Sequence, residues 1–162
     1  MRLHNHLELM PSVATRAVTA RVSRQLSATI ECVFDAWLDP VIAGSFLFAN
    51  DPGEVVRADI DGRIGGRFRF VRRENGTEVR RVGKYISIER PHLLMFSLSE
   101  SSRTLTHDRV VVELASVGMG SLLVLTHEMG LESYAERHSV ESVWKRRLGM
   151  LAFLCPAVVS ST

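Results

Sequence analysis

The sequence predicts an α+β fold: a curved antiparallel sheet of about seven strands around a long C-terminal helix, with two short helices after the first strand. Three observations carry that expectation. A short amphipathic segment, Ile30 to Pro40, lies between one strand and a long run of further strands. Six consecutive apolar runs follow it, each bounded by turn chemistry, which is the pattern of an antiparallel meander. After Gly130 the hydrophobic period changes from two to that of a helix.

Ala17 to Leu26 alternates polar and apolar residues and makes the first strand. In the segment that follows, Ile30, Val33, Phe34, Trp37 and Leu38 share one helical stripe, with Ser27 or Thr29 able to cap its start. Pro40 biases Asp39 away from helical angles, so this helix stops there or gives way to a second short turn carrying Val41, Ile42, Phe46 and Leu47. Glu54 to Ile60 is the second strand. The turn at 61–66 leads into Arg67 to Arg72, where Phe68 and Phe70 point to one face and Arg67 and Arg69 to the other. Asn75-Gly76 makes a hairpin turn, because both residues tolerate positive φ, and the return strand runs from about Glu78 to Ile88. Arg90-Pro91-His92 ends it. Leu93 to Leu98, Thr106 to Leu114 and Ser121 to Met129 complete the sheet, the last two joined through Val117-Gly118-Met119-Gly120. The final helix carries Val140, Val143, Trp144, Leu148, Leu151 and Cys155 on one stripe and is stopped by Pro156.

With 162 residues, 46% of them apolar, the chain fits one domain with one core. The expected division is a flexible tail over 1–15, the domain over 16–155 and a flexible end over 156–162. A net charge of +2 gives no global case for nucleic acid or a membrane. Locally the balance is different: Arg63, Arg67, Arg69, Arg72, Arg73, Arg80, Arg81 and Lys84 stand against only Glu74 and Glu78. Cys32 and Cys155 lack metal or disulfide spacing and are expected to be buried thiols. His4 and His6 belong to the tail rather than to a metal site. The N-terminus lacks the apolar core of a secretory signal, and no apolar run approaches the ~18 residues of a membrane span, so a cytoplasmic location is expected.

The element order is similar to the helix-grip fold shared by lipid-transfer START domains and birch-pollen-allergen-like proteins, the SRPBCC superfamily. Four motifs narrow the likeness. IECVFDAWLDP, ADIDGRIGGRFRF, VGKYISIERPHLLMFS and SLLVLTHEMG resemble, in that order, signatures of the activator of heat-shock-protein-90 ATPase homologue branch, and together they extend over about residues 17 to 154. Two departures stand out: Phe46 replaces the tryptophan usual after the DP motif, and Val143 replaces the glycine usual before the tryptophan of the last helix.

A curved sheet folded around one helix often leaves a space at its open end. Trp37, Phe46, Phe68, Phe70, Tyr85, Phe96, His127 and Trp144 are positioned to line it, so the leading expectation is binding of a hydrophobic small molecule (a lipid, sterol or polyketide-like compound) between the sheet and the C-terminal helix. The resemblance places His127 near the open end of the cavity. There it donates a hydrogen bond to a ligand, serves as the acid/base group of a cyclase- or hydrolase-type enzyme, or is a structural histidine bonded to a neighbouring loop. Glu128 cannot join it in one pocket, since neighbouring strand residues face opposite ways. The family name implies a third reading, a co-chaperone that stimulates a heat-shock-protein-90 ATPase. No metal site and no cofactor are expected: Gly62, Gly65 and Gly66 connect two strands and open no helix, so they serve a turn and not a phosphate. Asn75-Gly76-Thr77 is a hairpin turn rather than a glycosylation site. The basic face of Arg67, Arg69 and Arg73 is expected to be convex and solvated rather than bound to nucleic acid, because no exposed aromatic platform accompanies it. An exposed sheet edge, the first strand among the choices, can support a homodimer.

Overall fold

A computed structural model describes residues 18–49, 51–100, 108–130 and 135–157. The two expected flexible ends lie almost wholly outside the described residues, as do His4, His6 and the start of the strand expected from Thr106. The elements are β1 (Val18–Leu26), α1 (Ile30–Leu38), α2 (Pro40–Leu47), β2 (Glu54–Ile60), β3 (Arg67–Glu74), β4 (Thr77–Glu89), β5 (Leu93–Glu100), β6 (Asp108–Val117), β7 (Gly120–Met129) and α3 (Arg137–Leu154). All seven strands form one antiparallel sheet in the order β1-β7-β6-β5-β4-β3-β2. Strands β2 to β7 are thus the expected meander, and β1 pairs with the last of them, from Val18 opposite Met129 to Leu26 opposite Ser121. The chain leaves β1 at one edge of the sheet and re-enters at β2 on the other. α1 and α2 make that crossing.

Local chemistry accounts for the crossing. The Thr29 side chain accepts a hydrogen bond from the Cys32 amide at 3.3 Å and starts α1. Asp39, in extended conformation, ends α1 and caps α2: one carboxylate oxygen accepts from the amides of Val41 at 2.9 Å and Ile42 at 3.0 Å, while Pro40 begins the new helix where no amide is required. The stripe Ile30, Val33, Phe34 and Trp37 is buried against the concave face. Asn75 and Gly76 have φ of 49° and 80°, the geometry expected of the β3–β4 hairpin.

Two expectations change. Cys155 is buried, but Cys32 is exposed, because it falls off the α1 stripe between Ile30 and Val33. The outer face of β3 is not uniformly convex and solvated: Arg67 and Arg73 are exposed as alternation predicts, yet Arg69 is half-buried in an indentation. Arg72 and Arg81, from the same basic stretch, turn inward and are buried. A bulge between Tyr85 and Ser87 bends β4. Gly83 lies directly opposite Phe68, and a Cβ there would collide with the Phe68 ring and the Ser97 carbonyl, so only glycine lets that ring lie flat across the strand. Among the described residues, no helix is long and apolar enough to cross a membrane.

Candidate functional site

Inward-facing residues of β7 read Ser121, Leu123, Leu125, His127 and Met129, and those of β6 read Asp108, Val110, Val112 and Leu114. Alternation therefore brings one histidine and one aspartate into an otherwise apolar face. Asp108 Oδ2 lies 2.8 Å from His127 Nε2, and Trp144 Nε1 of α3 lies 2.8 Å from His127 Nδ1. An indole N–H can only donate, so Nδ1 must be the unprotonated acceptor; Nε2 then carries the proton and donates to Asp108. His127 is a neutral link with both ring nitrogens engaged. All three residues are buried. Glu128 faces the other side of the sheet, where Arg109 Nε donates to it at 2.8 Å.

This chain forms the floor of a pocket of about 370 Å³ between the sheet and α3. Val140, Val143 and Trp144 give it an apolar wall, and Glu136 and Ser139 stand at the first turns of the helix. Glu100 and Arg147 close one end. Arg147 Nη2 donates to Glu100 at 3.0 Å, and its guanidinium lies 4.6 Å from the ring centre of Trp144. Burial pushes the Arg147 pKa down to about 10, and the Glu100 charge opposes that fall, so the guanidinium stays charged at neutral pH. Burial alone would raise the Glu100 carboxyl; Arg147 and Arg81 outweigh it and hold the carboxyl below its ordinary value.

Behind Glu100 the ion pairs continue. Arg81 Nε donates to Glu100 and its Nη2 to Asp51, both at 3.3 Å, with the guanidinium 4.1 Å from the ring centre of Phe48. Arg72 bonds Glu74 at 3.1 Å and the Pro52 carbonyl. Three buried arginines are thus tied to carboxylates from the α2–β2 connection, β3 and β5.

The eight residues expected to line a site divide into two groups. His127 and Trp144 border the pocket. Trp37, Phe46, Phe68, Phe70, Tyr85 and Phe96 are at most 4% exposed and pack on one another: Trp37 meets Phe46 at 4.8 Å between ring centres and Trp144 at 6.1 Å, while Phe68 meets Tyr85 at 5.4 Å and Phe96 at 5.5 Å. Burial also raises the Tyr85 phenol pKa. The Trp37 indole N–H is buried with no acceptor among the described residues. Sequence reasoning missed Asp108, Glu100 and Arg147. Each had a signal of phase: Asp108 is in phase with Val110 and Val112, Glu100 with Phe96 and Leu98, and Arg147 with Val140, Trp144 and Leu151.

Comparison with known proteins places this geometry in a family. No curated protein matches the chain. Protein CV1439 of Chromobacterium violaceum is similar in structure, with TM-score 0.69 and 22% identity over 85% of this chain and 96% of its own. An uncharacterised protein of Rhizobium leguminosarum has TM-score 0.73 at 19% identity, covering 87% and 95%. CalU16 of Micromonospora echinospora has TM-score 0.60 at 21%, covering 87% and 85%. At these identities the likeness shows the fold, the helix grip expected from the element order. Residues 27–154 match the model of the family described as activator of Hsp90 ATPase homolog 1-like protein, so the chain belongs to that SRPBCC-type family.

Proposed function

We propose that the protein binds a compact, largely apolar small molecule in the pocket between the sheet and α3. The observation that carries this reading is the pocket itself: about 370 Å³, with Val140, Val143 and Trp144 as its apolar lining and Glu100, Asp108, His127, Glu136, Ser139 and Arg147 as its polar lining. That volume lies toward the small end of ligand sites, which run from roughly 300 to 1,000 Å³, and it favours a ring-sized ligand over a long acyl chain or a sterol. The apolar wall supplies burial, and the polar end supplies orientation. His127 serves this site as a fixed strut. With Trp144 donating to Nδ1 and Asp108 accepting from Nε2, no ring nitrogen is available to take a proton from a substrate, which favours binding over acid/base catalysis.

A thermal-shift panel of phenols, indoles, aromatic polyketide fragments, fatty acids and sterols tests the proposal. At least one compact aromatic compound is expected to raise the melting temperature, since a ligand of the folded state stabilises it by mass action. Val143→Arg, at a half-buried pocket position, should remove that shift while leaving the protein folded. A uniformly flat panel, or a shift untouched by Val143→Arg, would overturn it.

A further inference from the structure

We propose a second binding site, on the opposite face of the sheet, for a small amphipathic polyanion: a phosphate-bearing molecule with an apolar part. A groove of about 1030 Å³ runs along the outer face of β3, β4 and β5. Phe68 and Phe70 point inward, so Arg67 and Arg69 point outward, and register puts Lys84 directly opposite Arg67 and Arg80 opposite Val71. All four cations line the groove. Among the described residues, Arg67, Arg69 and Lys84 form no ion pair. Arg80 lies 3.7 Å from Glu78. Like charges directly opposite on neighbouring strands destabilise a sheet, and the register that sets Gly83 against Phe68 also sets Arg67 opposite Lys84. An anion bound between them would reverse the sign of that contact.

Two carboxylates beside the groove are engaged by other arginines. Asp59, opposite Arg69, is held by Arg57. Glu100, at the end of the groove, is held by Arg81 and Arg147. Between the cations lies apolar surface, Val82 and the 45% exposed Ile86, and the hydroxyls of Ser97 and Ser99 flank it. Guanidinium forks are the preferred partners of phosphate, and the apolar strip would cover a hydrocarbon or ring.

The shape selects among anions. A peptide added by strand pairing needs a free sheet edge, whereas these strands are paired on both sides. Single-stranded nucleic acid needs exposed aromatic rings, and the one aromatic residue that lines the groove, Phe68, is only 4% exposed. A membrane surface meets protrusions better than a concavity. The groove's size matches the upper range of small-molecule sites, roughly 1,000 Å³.

The test is titration of the isotopically labelled protein at low salt with octyl phosphate, with inorganic phosphate and octanol as separate probes, followed by amide chemical shifts. Octyl phosphate is expected to move the amides of 67–70 and 82–86. It should bind at least tenfold more tightly than either probe alone, and more weakly as salt is raised. Arg67→Gln combined with Lys84→Gln should weaken it at least tenfold, and Lys84→Gln alone by a smaller factor, while Val143→Arg, which blocks the inner pocket, should bind as the parent does. Four outcomes would overturn the proposal: no amide shifts, shifts centred on His127 and Trp144, unchanged affinity in the glutamine variants, or tighter binding by an oligothymidylate or a polyglutamate peptide.

Discussion

Glu100 is the residue on which two halves of the interior meet. Its carboxylate takes hydrogen bonds from Arg147 of α3 and Arg81 of β4, whose side chains are 4% and 9% exposed. Removing one partner of a buried pair leaves the other charge in a poorly solvating interior, at a cost of about 3–5 kcal/mol. Glu100→Gln is accordingly expected to destabilise by roughly 3 kcal/mol, the low end because its own side chain is 31% exposed. The pH dependence has a definite sign. The folded-state pKa of Glu100 lies below its ordinary 4.5, so its contribution is complete above about that pH and is lost as pH falls through the depressed value. Urea unfolding at pH 7 and pH 3.5 should show the parent losing more stability with acid than Glu100→Gln; equal losses would sink this account. Phase put Glu100 and Arg147 on inward-facing positions, but the pairing of the cluster was not legible, because it joins residues of β4, β5 and α3 that lie far apart in the chain. The aromatic residues were legible as buried, and His127 as inward-facing, since alternation alone decides both. What alternation could not decide was partnership: that Trp144 would donate to His127 depends on the rotation of α3 against the sheet.

Among the elements, the pair α1 and α2 shows how one residue can set a chain direction. The extended backbone of Asp39 ends the first helix, and its side chain satisfies two amides at the start of the second. The change in direction keeps Trp37 and Phe46 in edge contact, at 4.8 Å between ring centres. Loss of such a cap costs about 1 kcal/mol. Asp39→Ala is expected to lower unfolding free energy by that amount, and Asp39→Asn, which retains the acceptor, by only a few tenths. Equilibrium denaturation of the two variants checks this, and an alanine variant as stable as the asparagine one would refute it. This turn was partly legible: Pro40 marked the break, whereas the continuation as a full helix depended on Asp39 reaching two amides. The bulge in β4 and the close approach of Phe68 to Gly83 were not legible, since both arise from the registers of three strands at once.

Across the whole molecule the sheet has two edges with different protection. β1, one of the strands open to that role from the sequence, is one edge, but α3 packs against it and it pairs with β7 over its full length. β2 is the other: it pairs only with β3, its register breaks between Val55 and Arg57, and Val55 and Val56 are 38% and 40% exposed. The element order was readable from turn chemistry and period. The difference between the edges was not, because it depends on where α3 lies. Local opening has a free energy set by the contacts it breaks, so it should be smallest at β2 and approach the global value in β6 and β7, each paired on both sides, where Val110, Leu123 and Leu125 are fully buried. Native-state hydrogen exchange reads this directly. Amides of β6 and β7 are expected to exchange only through global unfolding and to track denaturant with the full unfolding slope, whereas those of β2 should exchange at least a hundredfold faster with a much shallower slope. If β2 is as protected as β7, the exposed edge is covered by something other than the residues described, and the assignment of β2 as the weak edge fails.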